Sequence, residues 1–161
     1  MESRKKDHID LTLRSQLSKD SLNKKFNYEP ALSAHPPQEM PEQDFLNKKL
    51  KLPIWVSSMT GGTDQAKKIN TNLAKVCREY GMGMGLGSCR PLLEDNSRIA
   101  DFNMRPIIGD DLPLMANLGI AQIEELLEKG EEEKLLKLVS DLDVDGLFVH
   151  LNPVQEFLQP E

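Results

Sequence analysis

The sequence predicts an α/β domain with parallel strands, and two observations support this prediction. Four short apolar runs follow one another after residue 51, and each run is followed by a polar loop. Helical segments separate these runs, so the order strand, loop, helix repeats four times, as is typical of parallel α/β folds. The length of 161 residues permits one domain with a substantial core, or half of a larger one.

The elements are placed by their periodicity. The first strand is predicted at 52–58, and the helix after it has an apolar residue at every third or fourth position: Ala66, Ile69, Leu73, Val76 and Tyr80. The later strands are predicted at 83–87, 112–116 and 145–149, and the later helices at 92–102, 120–129 and 131–139.

The N-terminal third of the chain has a different pattern. Residues 1–50 are polar, contain a cluster of prolines at Pro36, Pro37 and Pro41, and show only a weak helical period at 9–17. We therefore expect residues 1–50 to form an extension that covers the mouth of the domain formed by residues 51–161.

Composition excludes several classes of function. A net charge of −6 and a pI near 5.2 argue against non-specific binding to nucleic acid or anionic membranes. Cys77 and Cys89 form neither a disulfide framework nor a metal-ligand spacing, which favours a reducing compartment. The N-terminus lacks an apolar signal core and no stretch approaches a membrane span, so a cytoplasmic location is expected.

Polar side chains follow the first three strands, at the edge where parallel α/β folds bind ligands. The first strand leads into the turn 57–62, whose hydroxyls, thioether and backbone donors suit a planar cofactor. The second places Ser88 and Arg90 there; Arg90 suits a phosphate, although a surface ion pair with Glu94 or Asp95 is favoured in isolation. The third contributes the carboxamide of Asn117.

The fourth strand opens into the most polar of these segments. His150 and Asn152 should point the same way because strand residues alternate, and Pro153 begins a turn that presents Gln155 and Glu156. Glu156 is a suitable ligand for magnesium. The alternative is an ordinary solvated strand end with a helix cap, and this segment alone does not decide between them.

The glycines at 81, 83, 85 and 87 do not form a dinucleotide-binding motif, because no register gives G-x-G-x-x-G. They leave one strand face bare, which would admit a flat ring or another backbone, or would suit a crowded interior. The thiol of Cys89 is expected to be buried and inert.

The basic N-terminal residues Arg4, Lys5 and His8 would ordinarily be solvated. If they fold over the strand ends, their donors could instead clamp a diphosphate.

Taken together, these motifs resemble those of type 2 isopentenyl-diphosphate isomerase. The motifs are Arg4-Lys5-x-x-His8, Ser58-Met59-Thr60-Gly61-Gly62, Gly87-Ser88-x-Arg90, Ala116-Asn117-Leu118-Gly119 and His150-Leu151-Asn152-Pro153-x-Gln155-Glu156. The resemblance implies a TIM barrel that converts isopentenyl diphosphate to dimethylallyl diphosphate with magnesium and FMN, the flavin being reduced commonly by NADPH.

The resemblance also implies a role for each motif residue. FMN would be contacted by Ser57, Ser58, Met59, Thr60, Ser88 and Asn117. The substrate site would be lined by Arg4, Lys5, His8, Ser88, Cys89, Arg90 and Gln155. The catalytic group would comprise His150, Asn152 and Gln155, with Gln155 facing the isoprenoid carbons, and Glu156 would hold magnesium.

Two features depart from the family pattern. Glutamine or methionine is more usual at position 89, which puts the contact of the Cys89 side chain in doubt. A complete (β/α)₈ barrel needs roughly 250 residues, whereas only four β/α units are present here. We therefore expect the chain to be an N-terminal portion of the enzyme, inactive alone, and expect the full-length enzyme to be a homo-oligomer.

Two alternatives remain open from the sequence. Another FMN-dependent barrel, such as a 2-hydroxy-acid oxidase or a dihydroorotate-type dehydrogenase, would share the barrel and the early flavin turn. The second alternative is a half-barrel that acts as a binding or assembly module without catalysis.

Overall fold

The computed structural model describes residues 9–12, 14, 41–58 and 60–152. The chain divides into two compact units, Met1–Pro41 and Glu42–Glu161. In the first unit the described residues 9–12 and 14 are helical, within the segment predicted as a weak helix.

The second unit contains a parallel sheet and a short hairpin. The hairpin pairs β1 (Gln43–Phe45) with β2 (Lys48–Leu50) in antiparallel register. The sheet has the order β3-β4-β5-β6, and every neighbouring pair is parallel. Its strands are β3 (Trp55–Val56), β4 (Gly83–Gly85), β5 (Leu114–Gly119) and β6 (Gly146–His150). The predicted parallel α/β class is confirmed.

Helices connect the strands in the predicted order. Three are longer than two turns: α1 (Asp64–Tyr80), α5 (Ile120–Glu128) and α6 (Glu133–Asp141). Three are single turns between β4 and β5: α2 (Pro91–Glu94), α3 (Ile99–Phe102) and α4 (Arg105–Ile108). Helix α1 begins where the Thr63 hydroxyl accepts from the Ala66 N–H, and it ends at Gly81, whose φ of 66° is the left-handed conformation that glycine adopts readily.

The prediction of one helix at 92–102 is wrong, because the structure has two separate helical turns there. Asp95 ends the first turn, and its side chain accepts a 2.6 Å hydrogen bond from the Ser97 N–H. Aspartate favours such local turns over helix interiors. Hydrogen bonds from the side chain and backbone of Ser97 lower the Asp95 pKa.

The hairpin before β3 was not predicted. Its two turn residues, Leu46 and Asn47, have φ angles of 49° and 60°. Such a turn is usually marked by Asn-Gly or Asp-Gly, and leucine gives no comparable signal.

Helix α1 buries only part of the face that its apolar residues predict. The buried positions are Ala66, Asn70, Ala74 and Cys77. Val76 and Tyr80 are instead 39% and 52% exposed. The small side chains let the helix lie close to the sheet, which outweighs the burial of the larger ones.

The sheet has one face covered by helices and one that carries the glycines. On the helix face, Met84, Leu86, Leu114, Ala116 and Leu118 are all buried in the main core. We call the opposite side the glycine face, because Cβ atoms on Gly83, Gly85 and Gly146 would point there, toward Trp55, Phe148 and Met115 respectively.

Apolar side chains are exposed at both edges of the sheet. Ile54, just before β3, is 53% exposed, Val149 on β6 is 48% exposed and Leu151 beyond it is 68% exposed. Within the part of the chain that the structure describes, no helix combines the length and apolar character needed to cross a membrane.

Candidate functional site

The carboxyl ends of β4, β5 and β6 meet at one edge of the sheet. The Cys89 N–H donates a 2.8 Å hydrogen bond to the Asn117 carbonyl, which holds the loop after β4 against the end of β5. Across the next pair, Asn117 lies opposite Phe148 and Gly119 lies opposite His150. The parallel register therefore gathers the polar loops, as the sequence predicted.

The turn after β3 joins this edge through a close backbone contact. A Cβ on Gly87 would overlap the backbone of Thr60, so only glycine lets the two loops lie this close. Thr60 is 6% exposed, and its hydroxyl has no hydrogen-bond partner among the described residues. A buried hydroxyl without a partner costs about 1–3 kcal/mol, which makes it a candidate ligand contact.

Four other predicted site residues precede or follow these two contact points in the described part of the chain. Ser57 is exposed and Ser58 is half-buried, with its Oγ 2.7 Å from where a Cβ on Gly85 would lie. Ser88 and Arg90 are half-buried after β4.

Arg90 also affects the carboxylate of Glu125 on α5. The Glu125 pKa is lowered mainly by a hydrogen bond and the charge of Lys129, with a smaller contribution from the Arg90 charge. The charge of Arg90 therefore reaches the middle of α5.

The third and fourth strands contribute a buried amide and an exposed imidazole. Asn117 is 8% exposed and, by alternation, shares the glycine face with Met115 and Phe148. His150 is exposed at the end of β6, and Asn152 is half-buried two residues later.

The two cysteines are buried thiols, as the sequence predicted for Cys89. Cys89 is fully buried and its Sγ lies 3.4 Å from the Gly87 carbonyl, so its side chain faces away from solvent. Burial raises the pKa of Cys77 to about 11, which keeps that thiol protonated at neutral pH.

Side chains of the chain itself occupy the bare face of the glycine strand. A Cβ on Gly83 would lie 2.6 Å from the Trp55 indole, and one on Gly85 would lie 2.9 Å from the Phe148 ring. These two rings pack edge to face with centroids 6.1 Å apart. The crowded-interior interpretation therefore describes Gly83 and Gly85.

Several predicted site residues lie outside the described part of the chain, and their predictions stay untested: Arg4, Lys5, His8, Met59, Gln155 and Glu156. Within the described residues, no group of three or more His, Cys, Asp or Glu side chains could hold a metal ion. The structure thus leaves open the magnesium prediction, which rests on Glu156.

A network of charged side chains at the opposite, amino-terminal edge of the sheet was not predicted from the sequence. We call Lys48, Arg105 and Asp145 the base network. Asp145 lies 2.6 Å from Lys48 Nζ and 2.9 Å from Arg105 Nη2, and it accepts from the Leu114 N–H. These partners are far apart in sequence, so no local pattern indicates them.

Three curated relatives show what the chain is similar to. "Isopentenyl-diphosphate delta-isomerase" of Rickettsia rickettsii (strain Sheila Smith) is 39% identical over 167 residues, which cover 98% of this chain and 46% of the relative. The protein of that name from Rickettsia akari (strain Hartford) is 38% identical over 99% of this chain and 46% of its own length. The chain is homologous to these isomerases.

A third relative matches over a shorter region at higher identity. The protein of the same name from Rickettsia africae (strain ESF-5) is 44% identical over 117 residues, 73% of this chain and 33% of the relative. The chain spans about half the length of the first two relatives. No protein-family model matches the chain.

Proposed function

We propose that this chain contributes to a type 2, FMN-dependent isopentenyl-diphosphate isomerase, acting on isopentenyl diphosphate and dimethylallyl diphosphate. The observation that carries the proposal is the buried Thr60 hydroxyl without a partner, at the edge where the first two loops meet. The names of the homologues support an isomerase over a 2-hydroxy-acid oxidase or an assembly module.

The described residues fit a planar, hydrogen-bonding cofactor. Thr60 supplies a buried hydroxyl, Asn117 a largely buried carboxamide and Ser88 a half-buried side chain in a loop whose backbone contacts both residues. Such groups would orient the polar edge of an isoalloxazine ring. Ser57, Ser58 and Met59 complete the proposed FMN set.

The substrate diphosphate is proposed to bind beside this cofactor site. Arg90 would contribute a guanidinium, whose planar donors match phosphate oxygens. Arg4, Lys5 and His8 would add donors from the N-terminal segment, and Ser88 and the backbone of Cys89 would line the diphosphate site. Glu156 would hold Mg²⁺, which would neutralise part of the diphosphate charge.

The reaction moves a double bond without net redox change, so one proton is added and another is removed. Reduced FMN, formed with NADPH as the reductant, would supply proton-transfer chemistry when bound. Gln155 would face the isoprenoid carbons, while His150 and Asn152 would support the diphosphate site. The proposed role of the chain is to orient both molecules and to exclude water from the reacting carbons.

We further propose that the four β/α units form half of a TIM barrel. Four parallel strands do not close a barrel, and apolar side chains are exposed at both sheet edges. Turnover would then require the strands that complete the barrel, and the 161 residues alone would be inactive. A cytoplasmic homo-oligomer is proposed for the complete enzyme.

The experiment that tests the proposal is a titration with FMN. Quenching of flavin fluorescence is followed for the 161-residue chain and for a version extended with the second half of a homologue. We expect saturable binding by the extended version and, with NADPH, Mg²⁺ and isopentenyl diphosphate, formation of dimethylallyl diphosphate.

Two controls make the result decisive. Thr60→Val should weaken FMN binding by about tenfold, the value of one buried hydrogen bond, whereas exposed Asn72→Ala should leave it unchanged. Absence of FMN binding by both versions would overturn the proposal. Binding by the short chain would show that four strands already form the cofactor site.

A further inference from the structure

We propose that Asn70 is a positioning residue for the proposed flavin turn, the segment Thr60–Gly61 after β3. The inference deepens the proposed function and rests on it for the identity of the ligand. Asn70 lies in the middle of α1 and is 2% exposed. No motif of the sequence indicates it.

The side-chain amide of Asn70 joins two segments that are distant in sequence. Its Nδ2 donates to the Thr60 carbonyl at 3.3 Å and to the Asp101 carbonyl at 3.0 Å. Both amide hydrogens are thereby used on backbone acceptors. The flavin turn is tied through one nitrogen to α1 and to α3.

Two further contacts hold the same turn from other directions. A Cβ on Gly61 would overlap the ring of Phe102, which is fully buried on α3. A Cβ on Gly87 would overlap the Thr60 backbone from the loop after β4. The turn is therefore enclosed by α3 on one side and by the second loop on the other.

Asn70 is the polar member of this enclosure, and its geometry explains why asparagine is needed. An alanine would leave two buried carbonyls without donors, and an aspartate would place carboxylate oxygens against them. With Asn70 present, the Thr60 backbone is fixed before any ligand arrives, and the Thr60 hydroxyl is presented at the strand ends. Preorganisation of this kind raises affinity by removing the cost of ordering.

The test is amide hydrogen exchange of the full 161-residue chain without ligand. In Asn70→Asp, which keeps the size of the side chain but removes its donors, exchange of the peptide containing 60–62 should accelerate at least tenfold. Exchange of β4 and β5 should change much less. The matched control is Asn72→Asp, which places the same charge on an exposed position of the same helix and should change neither.

Gly87→Ala provides an independent probe if Asn70→Asp lowers stability throughout the chain. It should accelerate exchange in the same peptide, whereas Gly146→Ala, whose Cβ would meet only the side chain of Met115, should not. Unchanged exchange at 60–62 in Asn70→Asp, or acceleration spread evenly over the chain in both Asn70→Asp and Gly87→Ala, would overturn the inference.

FMN titration of the same variants separates this inference from the proposed function. If FMN binds, Asn70→Asp should weaken binding at least tenfold while Asn72→Asp does not. If the wild-type protein and its extended version bind no FMN, the proposed function fails, yet the exchange experiment still decides whether Asn70 positions the turn. If Asn70→Asp binds FMN as tightly as wild type, the positioning role is wrong.

Discussion

The two ends of the sheet differ in whether their buried polar groups have hydrogen-bond partners. At the amino-terminal end, Arg105 donates to the carbonyls of Asp143, Gly109 and Leu112 as well as to the Asp145 carboxylate. At the carboxyl end, the buried Thr60 hydroxyl has no such partner within the described residues. Satisfied groups indicate a structural role, whereas an unsatisfied group indicates a place for a ligand.

The base network links elements that the sequence keeps apart. Lys48 comes from the hairpin, Arg105 from α4 and Asp145 from the residue before β6. Lys48 Nζ also donates to the Leu112 carbonyl at 3.3 Å. Charged groups shielded from water need close, oppositely charged partners to offset their lost hydration. The network therefore fixes the positions of the hairpin and of α4 relative to the sheet.

The largest expected effect comes from breaking the base network. Arg105→Ala should lower the free energy of unfolding by about 3–5 kcal/mol, because it removes a buried guanidinium that donates to the Asp145 carboxylate and to the carbonyls of Asp143, Gly109 and Leu112. Urea unfolding measures this change.

Arg78→Ala is the matched control, since Arg78 also binds a carboxylate and a carbonyl but its side chain is 52% exposed. It should cost under about 1 kcal/mol. Equal losses in the two variants would contradict the structural role assigned to the base network.

The second effect is a dependence of stability on pH. Burial by itself would raise the Asp145 pKa, but hydrogen bonds from Lys48, the Leu114 N–H and Arg105 outweigh it, and the pKa is lowered. A lowered pKa means that the stabilisation is complete above the ordinary carboxyl value of about 4 and is lost as the pH falls through the folded value.

Asp145→Asn should therefore reduce stability at pH 7 by roughly 1–3 kcal/mol and flatten its fall toward pH 3. Asp143→Asn is the control, because the Asp143 side chain is 80% exposed. Urea midpoints between pH 3 and 7 that decline equally in Asp145→Asn and wild type would show that Asp145 is not the responsible group.

The third prediction concerns a substitution that should not lower the free energy of unfolding. Thr60→Val removes a buried hydroxyl that has no described partner, so the ligand-free chain should be unchanged or up to about 1–2 kcal/mol more stable. Thermal unfolding without FMN measures this. A loss of more than about 1 kcal/mol would mean that the hydroxyl has a structural partner, and the contrast between the two ends would fail.

The smallest expected effect is on the chemical reactivity of the two cysteines and not on stability. With a pKa of about 11, on the order of one Cys77 thiol in a thousand is ionised at pH 8. Iodoacetamide should therefore modify neither Cys77 nor the buried Cys89 in the native chain, and both in urea. Mass spectrometry locates the modified cysteine, and rapid labelling of native Cys89 would show that the loop after β4 opens.

Much of the architecture was predictable because it depends on local periodicity. Each of the four parallel strands overlaps its predicted segment, although β5 continues to Gly119 and so contains Asn117, which was predicted to follow it. The helices at 120–128 and 133–141 match theirs within about two residues. The gathering of the polar loops also followed, since the carboxyl ends of parallel strands must meet at one edge. The individual ligand roles of Ser57, Ser58, Ser88, Arg90 and Asn117 stay predictions.

Tertiary packing decided the features that local periodicity does not encode. Close approach to the sheet set the buried face of α1, which includes Asn70, Ala74 and Cys77 in place of Val76 and Tyr80. The sequence carried one signal for Asn70. It lies four positions from both Ala66 and Ala74, and this spacing places the three residues on one face of the helix. Its acceptors, the Thr60 and Asp101 carbonyls, could not be read from that spacing.

By itself, then, the sequence determined the order of strands and helices and the edge at which polar groups collect, because hydrophobic period and strand direction are local properties. The tertiary structure alone decided which polar groups are satisfied. Arg105 and Asp145 are 40 positions apart, and Asn70 and Asp101 are 31 apart. Such pairs form only when packing brings distant segments within hydrogen-bond distance.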